Sequence, residues 1–252
     1  MKGARRGLAF SLAIGIAGCG GGGGGGGFSG VPAQLIPNLR PLTPSDFRIE
    51  QGDTQTRGTH RLLRLSSHIA NFGDGPMEIY GEIETANQMD IVPAEQVIHW
   101  NNGDETRRPA GDFEHHDVHS HWHWENLISF QLAEANNPND PYDPANTVVG
   151  STPKVTFCLL DTSRIPQWTG SRPNSSQYRN CNQNTQGISR GWFDTYSANL
   201  YGQWIIIDGL PDGLYWVINE TDPSDLLLET DETDNRIAVK IQITGDNVAV
   251  VP

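Results

Sequence analysis

Apolar and polar positions alternate with a period of two in several short runs of this chain. "RIAVKIQI" (236–243) alternates over its whole length, as a strand with one buried face does. "KVTFCLL" (154–160) alternates in part and is rich in β-formers. Leu62-Leu63-Arg64-Leu65 leads into "SSHIANFGDG", which predicts a strand ending in a glycine-rich turn. "QWIIID" (203–208), the turn "GLPDG" (209–213) and "LYWVIN" (214–219) predict a hairpin-like pair. Helix signals are scarce. The stretches 135–147 and 163–191 are rich in Asn, Pro, Asp and Ser, and connections of that length are usually functional or pinned by a cross-link. The pattern predicts an all-β fold, a single sandwich domain with long irregular loops.

The N-terminus has a different pattern and is set apart from the fold. Lys2, Arg5 and Arg6 precede a short apolar stretch, Leu8 to Ala17, that ends in Ile16-Ala17-Gly18-Cys19. The small residues before a single cysteine resemble a bacterial lipobox, and an ordinary signal peptide with an incidental cysteine is the alternative. The lipobox reading divides the chain into a signal peptide (1–18), a lipidated Cys19 with a glycine tether (19–30) and one folded domain (31–252). Gly20 to Gly27 are consecutive glycines, a flexible leash with no side chain to pack. The expected location is the bacterial cell envelope, periplasm or outer-membrane surface, with the membrane reached through Cys19. If Cys19 carries lipid, Cys158 and Cys181 remain as an even pair in an oxidising compartment, and a disulfide between them is expected.

Composition narrows the partners. The formal net charge is −13, and removing the three cations Lys2, Arg5 and Arg6 takes it to −16. No basic patch exists for nucleic acid. Acidity steers cationic small molecules towards the protein, although by itself it need only keep the chain soluble.

Most of the chain's eight histidines fall in "FEHHDVHSHWHWEN" (113–126). On a strand, His119, His121 and His123 point to one face at steps of roughly 7 Å. Ser120, Trp122 and Trp124 then take the other face, with the tryptophans in the core. Three imidazoles on one face can converge on one metal if the strand twists or bulges, and His116 is near enough to be a fourth ligand or a partner to one. An all-imidazole set suits Cu(II), Zn(II) or Ni(II), copper binding most strongly. A solvated histidine-rich edge is the alternative. Glu114, Asp117 and Glu125 are close enough to fix imidazole tautomers or to be simply solvated. "ETDETDN" (229–235) offers a second, harder donor set: Glu229, Asp231, Asp234 and Asn235 supply oxygen ligands at a density that suits calcium, or form a solvated acidic turn.

Several of these segments, taken in order, resemble the lysyl oxidase family. "HHDVHSHWHWENLISFQLAE" is similar to its copper-binding region, and "RLLRLSSHIANFGDG" (61–75) to the strand before it. "PKVTFCLLDT" (153–162) and "TQGISRGWFDTYSANLYGQWIIIDGLPDGLYWVIN" (185–219) resemble the segments that supply the family's cofactor lysine and tyrosine. "ETDETDN" resembles its acidic strand-end motif. The resemblance implies copper ligands at His119, His121 and His123, with His116 as the neighbouring family histidine. It implies that Lys154 and Tyr196 cross-link into lysine tyrosylquinone, because no encoded side chain is an electrophilic carbonyl and the protein must build one. It implies a calcium site in which Asn38 and a main-chain oxygen of Leu39 join the acidic motif. The implied reaction takes a primary amine, peptidyl lysine or a small cationic amine, and O2 to an aldehyde, ammonia and hydrogen peroxide. The general base is not named by the sequence.

The chain departs from the animal pattern. Val118, Arg164, Trp192 and Gly202 stand where further cysteines would fall, the loop at 81–112 is longer than expected, and the chain ends soon after Gly245. These differences bear on substrate more than on chemistry. Two other function classes remain open: a non-enzymatic copper-binding surface lipoprotein, in which the quinone never forms, and a zinc hydrolase using Glu114 or Glu125, which lacks zincin-type spacing.

Overall fold

The computed structural model describes residues 30–54, 58–88, 90–117 and 120–252, without the side chains of Asn126, Pro153, Lys154 and Val155. The expected signal peptide, Cys19, the glycine tether and His119 lie outside the described residues. Pro32–Pro252 forms one compact unit. Its strands are β1 (Gln34–Leu35), β2 (Leu39–Asp53), β3 (Thr59–Asn71), β4 (Met77–Tyr80), β5 (Ile91–Trp100), β6 (Glu105–His116), β7 (His121–Glu134), β8 (Val148–Phe157), β9 (Ser163–Arg164), β10 (Thr185–Ile188), β11 (Trp192–Tyr196), β12 (Trp204–Ile206), β13 (Gly213–Thr221), β14 (Arg236–Thr244) and β15 (Asn247–Val250). No helix occurs among the described residues, and the all-β expectation holds.

Two antiparallel sheets share the core. The larger runs β10-β4-β5-β6-β7-β13-β14-β15, with β1 on β5 and β8 on β7, and the smaller runs β12-β3-β11-β9, with β2 on β3. The alternation read from 236–243 places Val239, Ile241 and Ile243 inside. They pack with Leu63, Leu65 and Ile69 of β3 and with Trp122, Trp124 and Phe130 of β7 in one apolar cluster. Burying side chains of this size stabilises the fold by about 1.5–3 kcal/mol each. The Trp124 indole N–H, which would be costly to bury unpaired, donates to the Ala110 carbonyl at 2.6 Å.

β7 carries the site because three strands pair with it. β6 pairs with residues 121–124, β13 with 128–134, and β8 with a stretch from Trp124 to Ala133 that overlaps both. A strand has only two edges, so β6 and β13 share one and β8 takes the other. The pairing of β7 with β8 is broken by register shifts between Trp124 and Ile128 and between Ile128 and Phe130. Such irregularity bends a strand and re-aims its side chains.

Two expectations are corrected. "QWIIID" and "LYWVIN" do not pair: Trp204, Ile205 and Ile206 pair with Arg64, Leu63 and Leu62, whereas β13 lies between β7 and β14 in the other sheet. "GLPDG" is a corner between sheets, and a short turn between two apolar runs reads the same in sequence as a hairpin. The stretch 81–112 is largely a hairpin, because β5 and the first part of β6 pair from His99 with Glu105 to Pro93 with Asp112. Val92, Ala94, Gln96 and Ile98 alternate inward there, a period-two signal hidden by Pro93 and the surrounding polar residues.

The Cys158–Cys181 disulfide forms as expected, spanning 23 positions. It pins the long 163–184 connection where the chain leaves β8. Gly73 lets the N-terminal segment pack closely. A Cβ there would lie 2.3 Å from the Pro37 carbonyl carbon and 2.4 Å from the Asn38 nitrogen. Asn71, wholly buried, ties the same corner by accepting from the Asn38 and Gly73 amides at 3.2 and 3.0 Å.

Candidate active site

The histidine segment is a hairpin in which β6 pairs with β7. His116 at the end of β6 is the cross-strand partner of His121 at the start of β7, and Glu114 is that of His123. Cross-strand pairing, rather than nearness along the chain, brings His116 in. Ser120 is in the turn with φ 54° and donates its N–H to the His116 carbonyl at 2.8 Å. The alternation beyond it is as expected: Trp122 and Trp124 are buried, and His115 packs edge-on against Trp122 with ring centroids 5.4 Å apart.

On the opposite face three imidazoles meet. His116 stacks on His123 with centroids 4.2 Å apart, and the Nε2 atoms of His121 and His123 are 2.8 Å apart. The Thr156 hydroxyl on β8 lies 3.2 Å from His123 Nδ1 and 3.2 Å from His116 Nε2. A hydroxyl has one proton, so at least one of these two nitrogens must donate to it. If His123 donates through Nδ1–H, its Nε2 lone pair is left facing His121 Nε2, and the tautomer needed for binding through Nε2 is fixed from behind. Glu114 approaches His116 Nε2 at 3.7 Å. Thr156 was not singled out in the sequence, although its place two residues after Lys154 on an alternating strand was there to read.

The tyrosine reaches the same strand from the other sheet. Tyr196 ends β11, where it pairs with Ser67 of β3. Its ring lies against Phe157, the last residue of β8, with centroids 3.5 Å apart, and its hydroxyl donates to the Cys158 carbonyl. Burial and the neighbouring Asp194 carboxylate push the phenol well above its ordinary value, yet part of Tyr196 stays accessible. The loop after it is clamped: Arg64 donates to the carbonyls of Ala198 and Leu200 at 3.3 and 3.0 Å, and Arg48 to Ala198 at 3.1 Å. The backbone of Lys154 is in β8, three residues before Phe157, and its side chain is outside the described ones.

The acidic motif forms a separate centre. Glu229 and Asn235 are buried, and the Asn235 amide bridges Glu229 and Glu232 at 3.2 and 3.1 Å. Asn38 donates to Asp234 at 3.2 Å, and Arg40 pairs with the same carboxylate oxygen. Leu39 enters through its amide N–H, which donates to Glu229. Asp231 turns outward and accepts from the Thr233 hydroxyl at 2.6 Å. Glu232, absent from the sequence-based set, belongs to the cluster. Burial first, and then the Glu232 and Asp222 charges, push the Glu229 carboxyl up to about 8. The side-chain oxygens Asn38 Oδ1, Asp234 Oδ1 and Asn235 Oδ1 are buried without a hydrogen-bond partner. Among the described residues no group of three or more His, Cys, Asp or Glu converges to hold a metal ion.

The architecture defines a class: an all-β protein in which an imidazole-lined hairpin and a half-buried tyrosine from the opposite sheet meet on one shared strand. The chain belongs to the lysyl oxidase family, whose description matches residues 79–252, more than half of the chain. Human protein-lysine 6-oxidase is 32% identical over 141 residues, covering 55% of this chain and 30% of that protein. Human lysyl oxidase homolog 1 is 31% identical over 143 residues, 56% of this chain and 22% of that protein. Chicken lysyl oxidase homolog 2 is 28% identical over 194 residues, 77% of this chain and 20% of that protein. The matched stretch is therefore under a third of the length of each of these relatives.

Proposed function

We propose that this chain is a copper-dependent amine oxidase that converts primary amines and O2 to aldehydes, ammonia and hydrogen peroxide, with Lys154 and Tyr196 joined as lysine tyrosylquinone. The observation that carries the reading is the shared strand β8. Thr156 touches two histidines of the hairpin, Phe157 stacks on Tyr196, and Lys154 lies three residues back on the same strand.

The donor set fits copper. The His121 and His123 Nε2 atoms are 2.8 Å apart. Two imidazole nitrogens that approach this closely with their lone pairs turned to one point could share an ion. His121 and His123, with His119 and with His116 beside them, would hold the ion, which with the quinone would supply an electrophilic carbonyl and a route for electrons to O2. With its hydroxyl accepting from His123, Thr156 would hold the His123 proton at Nδ1. The Phe157 face orients the Tyr196 ring, Arg48 and Arg64 hold the loop behind it, and the disulfide limits the freedom of the long connection over β8. The acidic surface favours cationic amines such as peptidyl lysine or small diamines. Lipid on Cys19 would hold the domain at a membrane of the cell envelope, with the glycine run as its tether.

The acidic centre fits calcium. Glu229, Asp234, Asn235 and Asn38, with Asp231 and Leu39 at its edge, make an oxygen-rich cluster with too few donors, and its three unpaired oxygens and the raised Glu229 carboxyl are what a hard cation would relieve. Its role is to join the Asn38–Leu39 corner to the start of β14.

The alternative is a surface lipoprotein that binds copper through the hairpin and never forms the quinone. Peroxide release from a primary amine, by protein matured with copper in air, separates the two. The oxidase reading expects release that phenylhydrazine and Lys154→Met both abolish. Bound copper with no visible quinone band and no peroxide would favour the alternative.

A further inference from the structure

Asp194 is the buried ionisable group that the reading above leaves without a task. It lies two residues before Tyr196 on β11, so the alternation of the strand sends both side chains to the same face. It is 1% exposed. Its Oδ2 accepts the Leu160 N–H at 3.0 Å and its Oδ1 the Thr195 N–H at 2.8 Å. A carboxylate has about four acceptor positions, so two backbone donors leave it capacity for another proton. The Tyr196 phenol neighbours this carboxylate closely enough for each to shift the other, while the phenol proton is directed at the Cys158 carbonyl.

We infer that Asp194 is the proton acceptor for the Tyr196 phenol, the group that converts the ring to the phenolate from which a quinone can be built. The inference rests on the reading of Tyr196 as the cofactor tyrosine. In the step, the phenolic O–H bond breaks, an O–H bond forms on the Asp194 carboxylate, and the negative charge moves from carboxylate to phenolate. No electrons are transferred; the oxidant for the later steps is O2 with copper.

The surroundings are those of a base rather than of a structural ion pair. Burial is the largest influence on the carboxyl and pushes it up to about 7, Asp161 on the connection after β8 adds to that, and the two backbone N–H groups and the phenol oppose it. No described cation pairs with it. A proton acceptor works best when its own affinity for the proton is near the working pH. The sequence held one signal for this residue, the period-two spacing in "FDTY", and it was not used.

Asp194→Asn keeps the side-chain shape and one acceptor oxygen. In the full chain loaded with copper under nitrogen and then exposed to air, the quinone band of the unaltered protein should grow at a rate that rises with pH through an inflection near 7. In Asp194→Asn the growth should slow by about 100-fold and lose that inflection at equal copper content. Equal rates with the same inflection would overturn the inference. An infrared titration of the copper-free protein serves as a second readout, and it holds even if Asp194→Asn does not fold. A neutral carboxyl band should disappear near pH 7, and Tyr196→Phe, which removes one hydrogen bond to the ionised form, should move that titration upward. Asp222 and Glu229 titrate at the two edges of this range, so the deciding signal is the Tyr196→Phe shift: carboxyl bands between about pH 6 and 8 that Tyr196→Phe leaves unmoved would also overturn it. Copper-loaded protein that grows no quinone band at any pH sinks the cofactor reading and this inference with it, whereas normal growth in Asp194→Asn sinks only the inference.

Discussion

The histidine hairpin and the acidic strand-end are both clusters of side-chain types that can ligate metals, and they handle burial in opposite ways. An imidazole can both donate and accept, so His116, His121, His123 and Thr156 satisfy one another with one ring stack and three close polar contacts. Carboxylates bring charge. Glu229 and Asp222 are buried with too few donors, and burial pushes them up to about 8 and about 6. The hairpin therefore loses little by folding without a metal, whereas the acidic centre folds at the expense of its own ionisation.

The largest expected effect lies on the acidic side. Glu229 and Asp222 bind protons more tightly folded than unfolded, where their ordinary values are 4.5 and 3.8. Between those ordinary values and the raised ones the folded state holds the extra protons, so stability must fall as pH rises from about 4 to about 8. The expected loss is on the order of 1 kcal/mol per pH unit for each group, a few kcal/mol in all. Asp194, raised to about 7, adds to the same trend up to that pH. Urea denaturation of the metal-free protein at several pH values measures this. Glu229→Gln or millimolar calcium should flatten the slope, and a slope that neither changes would remove the acidic centre from the account.

Next in size is the loss of a ligand. His123→Ala should weaken copper binding by about 100-fold or more in competition against a chelator, with little change in the calcium response. Thr156→Val, which removes only the hydroxyl behind His123 and His116, should weaken it by about 10-fold, read in the same assay. An unchanged affinity would mean that the tautomer is set elsewhere. The smallest effect belongs to Arg40→Ala. This guanidinium is 44% exposed and its pair with Asp234 is solvent-screened, so the expected cost is at most about 0.5 kcal/mol by chemical denaturation.

What the sequence revealed follows the range of the interactions involved. Alternation in 236–243 located β14 and its inward face because a half-buried strand writes its period locally. The same rule put Trp122 and Trp124 inside. The His116–His121 pairing was not legible, because it depends on where the chain turns within "HHDVHSHWH" and several turns suit that polar stretch. "GLPDG" read as a hairpin because the sheet that each flanking strand joins is set by distant partners, Leu63 for Ile205 and Leu132 for Val217. Thr156 and Glu232 escaped notice for one reason: each gains its importance from a neighbour across strands or turns. The disulfide was legible once Cys19 is set aside as the expected lipid site, since Cys158 and Cys181 then leave one pairing. Its removal by Cys181→Ser should cost about 3 kcal/mol.

The most direct test of the central claim is a peptide map of protein matured with copper in air. A single cross-linked species should contain the Lys154 and Tyr196 segments together, and it should be absent from protein kept free of copper. Recovery of the two segments as separate, unmodified peptides from fully copper-loaded, aerated protein would contradict the account.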